Sequence, residues 1–174
     1  KVSLIKNKYF FNYIKKNIKN ILKKNLKTIT TINYICAYLH THHIGKNEDP
    51  FEKFSSRPLD FGHWAAHKIE TMTKNEITHG QAVAIGIALD CTYSLLINIL
   101  QKNQWRMIIE TILFLKFDIY NKKLDLKKIN LLLKGLTEFK EHLGGKLTIM
   151  LLSSIGKGIT VNDLNVKKLK QTTQ

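Results

Sequence analysis

In "RPLDFGHWAAHKIE", residues 57 to 70, His63 and His67 stand four residues apart in an otherwise apolar, helix-like segment. A third imidazole, His79, comes just before the apolar run "GQAVAIGIALD". Side chains at i and i+4 share one face of a helix, and imidazole is a good ligand for zinc and similar divalent ions. Residue chemistry alone therefore points to a metal site using His63, His67 and His79. The spacing lacks the glutamate of an HExxH protease motif. Gly62 and Gly80 adjoin the first and third imidazoles. Each suits either a close approach of backbone to a ligand or a helix end or helix contact. His40, His42 and His43 lie upstream, so six of the seven histidines fall between positions 40 and 79.

The elements that must position these groups read as mostly α-helical. At 174 residues the chain fits one domain with a core of its own. Helical periodicity runs over residues 8–24 and 28–43, then about 59–73, 79–101, 104–117 and 125–135, the last ending near Gly135. "GKNEDPFEKFSSRP", residues 45–58, holds both prolines and reads as the main loop. After "HLGGK", the segments "LTIMLL" and "GITVND" read as two short strands joined by a glycine-containing turn. A short helix over 163–170 closes the chain. The fold class is thus a helical domain with a short β-hairpin near its C-terminus.

Composition narrows the function. The net charge of +15 invites a nucleic-acid reading. Yet 26 of the 28 basic side chains are lysines spread along the chain, and only Arg57 and Arg106 are arginine. Bidentate recognition of bases and phosphates favours clustered arginine, so no nucleic-acid partner is expected. The apolar run from 82 to 100 contains Asp90, Thr92, Ser94 and Asn98, too polar for a membrane span and suited to a buried helix. The N-terminal stretch shows no signal peptide. Cys36 and Cys91 form no short-spaced pair and are expected as free thiols in a reducing, cytoplasmic setting.

"LDFGHWAAHKIE" followed by "THGQAVAIGIALD" closely resembles the pattern of the 3-dehydroquinate synthase superfamily, the sugar-phosphate cyclases. There it runs approximately LNFGHTxGHAIE, then LHGEAVAxGM, with the same sixteen-residue separation of two metal-binding histidines. "KVSLIKNKYFFNYIKKNI" and "FKEHLGGKLTIMLLSSIGKGITVNDLN" extend the likeness over nearly the whole chain. The resemblance revises the three-histidine site. It implies that His63 and His79 hold Zn2+ or Co2+, while His67 belongs to the acid/base machinery. The third ligand would be a glutamate three residues before Lys1, in an ExxK motif whose lysine is Lys1. The chain then corresponds to the helical C-terminal domain, residues 1–174, of a two-domain enzyme whose NAD-binding domain precedes it. Consistent with that, the chain contains no GxGxxG. A homodimer of the full-length protein is also implied.

Departures from dehydroquinate synthase bear on the substrate. Asp60 replaces an asparagine, Ser56 stands where an arginine is expected with Arg57 one residue later, and His42 aligns with an active-site lysine. Near the C-terminus, "EFKEHLGG", which includes Lys140, replaces an HDKK signature. Several of those cationic groups are taken to hold a substrate carboxylate, which is costly to bury without such partners. Their loss favours a substrate with no carboxylate. "DPFEKFSSRPLDFGHWAAHK" looks more like the branch of 2-epi-5-epi-valiolone synthases and EboD-type proteins, the former cyclising sedoheptulose 7-phosphate. Dehydroquinate synthase proper and a non-catalytic remnant are the alternatives.

Family chemistry, as the resemblance implies it, is hydride transfer to NAD, phosphate elimination, hydride return, ring opening and an intramolecular aldol closure. His67 would move protons and Lys1 would supply positive charge. Asp60 would accept a substrate hydroxyl, or simply cap the helix carrying His63. Arg57, His42 and Lys140 complete the substrate-binding candidates, and Asp49 either braces the loop or serves as a turn residue.

Overall fold

A computed structural model describes residues 1–46, 60–120, 129–142 and 147–172. The loop expected over 45–58, with Asp49 and Arg57, therefore lies largely outside the described residues, as do both glycines of "HLGGK". Among the described residues the helices are α1 (Val2–Lys6), α2 (Lys8–Lys16), α3 (Ile18–Leu22), α4 (Leu26–Lys46), α5 (His63–Met72), α6 (His79–Leu96), α7 (Lys102–Phe114), α8 (Ile129–His142) and α9 (Val166–Gln171). Strands β1 (Ile149–Ser154) and β2 (Lys157–Val161) form an antiparallel hairpin, with Leu151 opposite Ile159. The mostly helical class and the C-terminal hairpin are as the sequence reads.

Helix α6 is the axis of the core. Apolar on nearly every side, it must be buried all round, and it packs against α5, α7, β1 and α9. Ala84, Ile87 and Cys91 face one cluster with Leu4, Phe11, Phe61 and Ile108. Ala82, Ile85, Leu89 and Tyr93 face a second with Trp64, Ile69, Leu132 and Leu169. Strand β1 serves both, because successive side chains alternate: Met150 and Leu152 join the first cluster, Ile149 and Leu151 the second. Tying β1 to the axis, the Leu152 amide donates to Ser94 Oγ on α6 at 3.3 Å.

Some expected boundaries move, for local reasons. The helix anticipated over 8–24 divides at Asn17, whose backbone N–H is shared between the Tyr13 and Ile14 carbonyls at 3.1 and 3.0 Å while its side-chain amide also donates to Tyr13 at 2.9 Å. Lys24, at φ 54°, follows the end of α3. Helix α8 does not end at Gly135 but continues to His142. A side chain at Gly135 would meet Lys68 on α5 at 2.7 Å, so this glycine serves helix packing rather than termination. Across the same contact, Lys68 Nζ pairs with Glu138 at 2.6 Å.

Candidate metal centre

Two helix starts present the histidines. Gly62 is the N-cap of α5 in the left-handed region, φ 78°. A Cβ there would lie 2.9 Å from both the Ile87 side chain and its backbone nitrogen. Gly62 thus serves as a helix end and a helix contact rather than as an approach to a ligand, and Asp60 is not the N-cap of this helix. Opposite, a Cβ on Gly86 would fall 2.0 Å from the Gly62 carbonyl oxygen, so α6 touches the turn into α5 backbone to backbone. Helix α6 begins with a capping box at Thr78, whose amide donates to Gln81 Oε1 at 2.9 Å. His63 is the first residue of α5 and His79 the first of α6.

The three imidazoles converge. Ring centres lie 5.2 Å apart for His63 and His79, 5.7 Å for His63 and His67, and 5.8 Å for His67 and His79. A zinc–nitrogen bond of about 2.0–2.1 Å puts two ligating ring centres roughly 5 Å apart at a tetrahedral angle, so His63 and His79 are spaced for one ion. Their hydrogen bonds agree. Nδ1 of His63 lies 3.2 Å from the Phe61 carbonyl, and Nδ1 of His79 lies 3.2 Å from both oxygens of Glu70. With each Nδ1–H donated to an oxygen, each Nε2 is left as the acceptor nitrogen, the arrangement metal-binding histidines need.

Electrostatics point the same way for His63. Burial, then the nearby Lys1 charge, lowers its pKa to about 4 against the opposing pull of the Phe61 carbonyl. It is therefore neutral at pH 7, as a ligand must be. The donor set fits a divalent ion.

His67 differs. Its side chain is 63% exposed, and its Nδ1 lies 3.4 Å from Glu70 Oε2. Ligand atoms of His67, Glu70 and His79 can all lie within 4.8 Å of one another, so geometry by itself also admits this trio as a metal set. Lys1 lies close enough to bias His63 and, with Gly80, borders a mostly apolar cavity of about 200 Å³ walled by Phe11, Val83 and Ile108, with Ser3 and Thr111 also on its lining. Gly80 has open space where a side chain would be. Asp60 is half-buried, its Oδ2 shielded from solvent, two residues before the N-cap.

The other substrate candidates are less collected. The exposed His42 ring, on α4, stacks on Tyr38 with centres 5.7 Å apart rather than on the histidine trio. Lys140 is exposed on α8. Both cysteines are free thiols.

Two acidic residues were not among the sequence candidates. Glu70 follows His67 by three residues, a spacing that places both on one helix face and could have flagged it. Asp90 interrupts an apolar run, and its carboxylate accepts the Gly62 amide at 2.8 Å and the Trp64 indole N–H at 2.7 Å.

A helical domain brings three imidazoles together at two adjoining helix starts, a donor set of the kind divalent ions take. The family profile described as "3-dehydroquinate synthase C-terminal" matches residues 1–137, and the chain belongs to that family. A 3-dehydroquinate synthase of Pelagibacter ubique is 29% identical over 173 residues, covering 97% of this chain and 46% of the relative. A 2-epi-valiolone synthase of Actinosynnema mirum is 32% identical over 90 residues, 51% of this chain and 23% of the relative. The fold matches ValA, a 2-epi-5-epi-valiolone synthase from Streptomyces hygroscopicus solved with NAD+ and Zn2+. That match has a TM-score of 0.88 at 18% identity and covers 99% of this chain and 47% of ValA. A 2-deoxy-scyllo-inosose synthase solved with carbaglucose-6-phosphate, NAD+ and Co2+ matches with a TM-score of 0.61 at 22% identity, covering 84% and 40%. The chain spans about half the length of the full-span curated relative and of ValA. No described helix is long and apolar enough to cross a membrane.

Proposed function

We propose that this chain acts as the metal-binding half of an NAD- and divalent-metal-dependent sugar-phosphate cyclase, with NAD held mainly by a preceding α/β domain. The observation that carries this reading is the pairing of His63 and His79, each with Nδ1 on an oxygen and Nε2 left for an ion. The solved relatives carry NAD+ with Zn2+ or Co2+, which supports the same cofactors here.

When bound, the ion supplies Lewis-acid polarisation of a substrate hydroxyl or carbonyl oxygen. His63 and His79 hold it, and the Phe61 carbonyl and Glu70 fix their tautomers. His67 moves a proton to or from a substrate oxygen, and Glu70 beside it stabilises the imidazolium that forms. Lys1 offsets negative charge developing on the substrate oxygens. Asp60 accepts a substrate hydroxyl, and Arg57, His42 and Lys140 remain in the reading as further substrate contacts.

The substrate class we infer is a sugar phosphate without a carboxylate, such as sedoheptulose 7-phosphate. The resemblance implies that several cationic groups taken to hold a carboxylate in dehydroquinate synthase are replaced here, and the likeness to a 2-epi-valiolone synthase supports the inference. The test is phosphate release by the intact protein with NAD+ and Zn2+ or Co2+. Release from sedoheptulose 7-phosphate but not from the heptulosonate phosphate used by dehydroquinate synthase is expected. Release from the heptulosonate alone would overturn the substrate assignment, and release from neither would overturn the cyclase reading for these substrates.

A further inference from the structure

Asp90 is 2% exposed and sits in the middle of α6 among apolar side chains. Such a carboxylate is retained only where something needs it, because desolvation opposes its charge. Burial indeed pushes its pKa up to about 7, against the two hydrogen bonds that pull it down. Those bonds go to one place. Oδ2 accepts the N–H of Gly62, and Oδ1 accepts the indole N–H of Trp64. Between these two donors in the sequence lies His63.

The two bonds clamp the start of α5 from both sides of His63. Gly62 occupies the left-handed region and is pressed against the backbone of α6 at Gly86, with no room for a Cβ on either glycine. Its amide is one of the N-terminal donors that no intrahelical carbonyl can satisfy, and the cap makes no side-chain hydrogen bond of its own. Asp90 supplies the acceptor from across the helix pair. The bond determines how the turn is rotated, and hence where the first side chain of α5 is aimed.

We propose that Asp90 is a positioning residue for the metal site: through Gly62 and Trp64 it fixes the turn into α5 and thereby aims His63 at the ion shared with His79. This rests on the reading of His63 as a ligand. Neither donor can be matched by an ordinary isostere. Asparagine would turn its NH2 toward one of two N–H groups, and leucine would leave both without an acceptor.

The hydrogen-bond arithmetic gives a discriminating pair of variants in the intact protein. In Asp90→Asn/Trp64→Phe, the amide oxygen can serve Gly62 while its NH2 faces a ring that donates nothing. In Asp90→Leu/Trp64→Phe, Gly62 has no acceptor. Co2+ is titrated into each, reading affinity and the visible absorption of the bound ion, with urea unfolding alongside. The Asn/Phe variant, which keeps the Gly62 bond and loses only the Trp64 bond, is expected to bind Co2+ more tightly than the Leu/Phe variant and within about 10-fold of wild type. The Leu/Phe variant is expected to bind about 10–100-fold more weakly, the range for losing a group that orients a ligand, with an altered spectrum. Equal affinity and spectra in the two would overturn the proposal.

His63→Ala separates the two layers. Wild-type Co2+ binding by His63→Ala would sink the ligand reading itself. Weakened binding there, with the two double variants alike, would sink only the role of Asp90. Hydrogen exchange in the wild-type protein needs no variant to fold: the Gly62 amide is expected among the slowly exchanging amides, and rapid exchange in the folded protein would contradict the clamp.

Discussion

Both carboxylate oxygens of Glu70 lie 3.2 Å from Nδ1 of His79, joining the last turn of α5 to the first residue of α6. The same carboxylate reaches Nδ1 of His67 at 3.4 Å. One acidic group thus contacts both His79, proposed as a metal ligand, and His67, proposed to move protons.

Glu70→Gln is expected to weaken Zn2+ or Co2+ binding by about 10–100-fold. The glutamine keeps one acceptor but loses the charge, and its NH2 opposes one of the two imidazole N–H groups. Metal titration against a chelating competitor measures the change. Affinity equal to wild type would mean that Glu70 only decorates the surface.

Thr78→Ala removes the capping box that starts α6 directly before His79. A loss of about 1 kcal/mol in urea unfolding is expected. Metal binding should weaken with it, because the first turn of α6 carries His79, one of the two proposed ligands. An unchanged unfolding midpoint would show that tertiary packing alone holds this helix end.

Much of the fold was legible because its signals are local. The apolar run of α6, the two short strands about a glycine-containing turn and the His63 to His67 spacing each need only a short window of sequence. The division at Asn17 was hidden, since the apolar period runs on through a residue whose backbone departs from the helix at φ -105° and ψ 15°. Gly135 read as a stop, yet its purpose is set by Lys68 on another helix. Asp90 was equally opaque, because its partners stand 26 and 28 residues away. For the site, imidazole chemistry identified the three histidines, while dividing them into ligands and proton carrier came from the family resemblance.

Gly86→Ala should be among the most damaging small substitutions. Its Cβ would stand 2.0 Å from the Gly62 carbonyl, a backbone atom that moves only if α5 moves. A destabilisation of about 1–3 kcal/mol is expected, the cost of overpacking, together with weaker metal binding as His63 and His79 separate. Urea unfolding and Co2+ titration read the two effects. A variant with unchanged stability and affinity would contradict the close contact of the helices.

The pH dependence of stability carries the mark of Asp90. Burial raises its folded pKa to about 7 from an ordinary value of 3.8. Between those values the folded state binds more protons than the unfolded state, so stability falls as pH rises. Its contribution is thus fully present below about pH 4 and lost by about pH 7, with no further change above. In metal-free protein, the difference in unfolding free energy between wild type and Asp90→Asn/Trp64→Phe should follow this slope. A flat difference across pH 4 to 7 would show that Asp90 titrates normally.

The most direct test is elemental analysis of the intact protein beside its His63→Ala/His79→Ala variant, both purified in the presence of zinc or cobalt. About one equivalent of metal in the wild type and close to none in the folded variant is the expected result. Equal metal content in the two would contradict the assignment of His63 and His79 as the ligands.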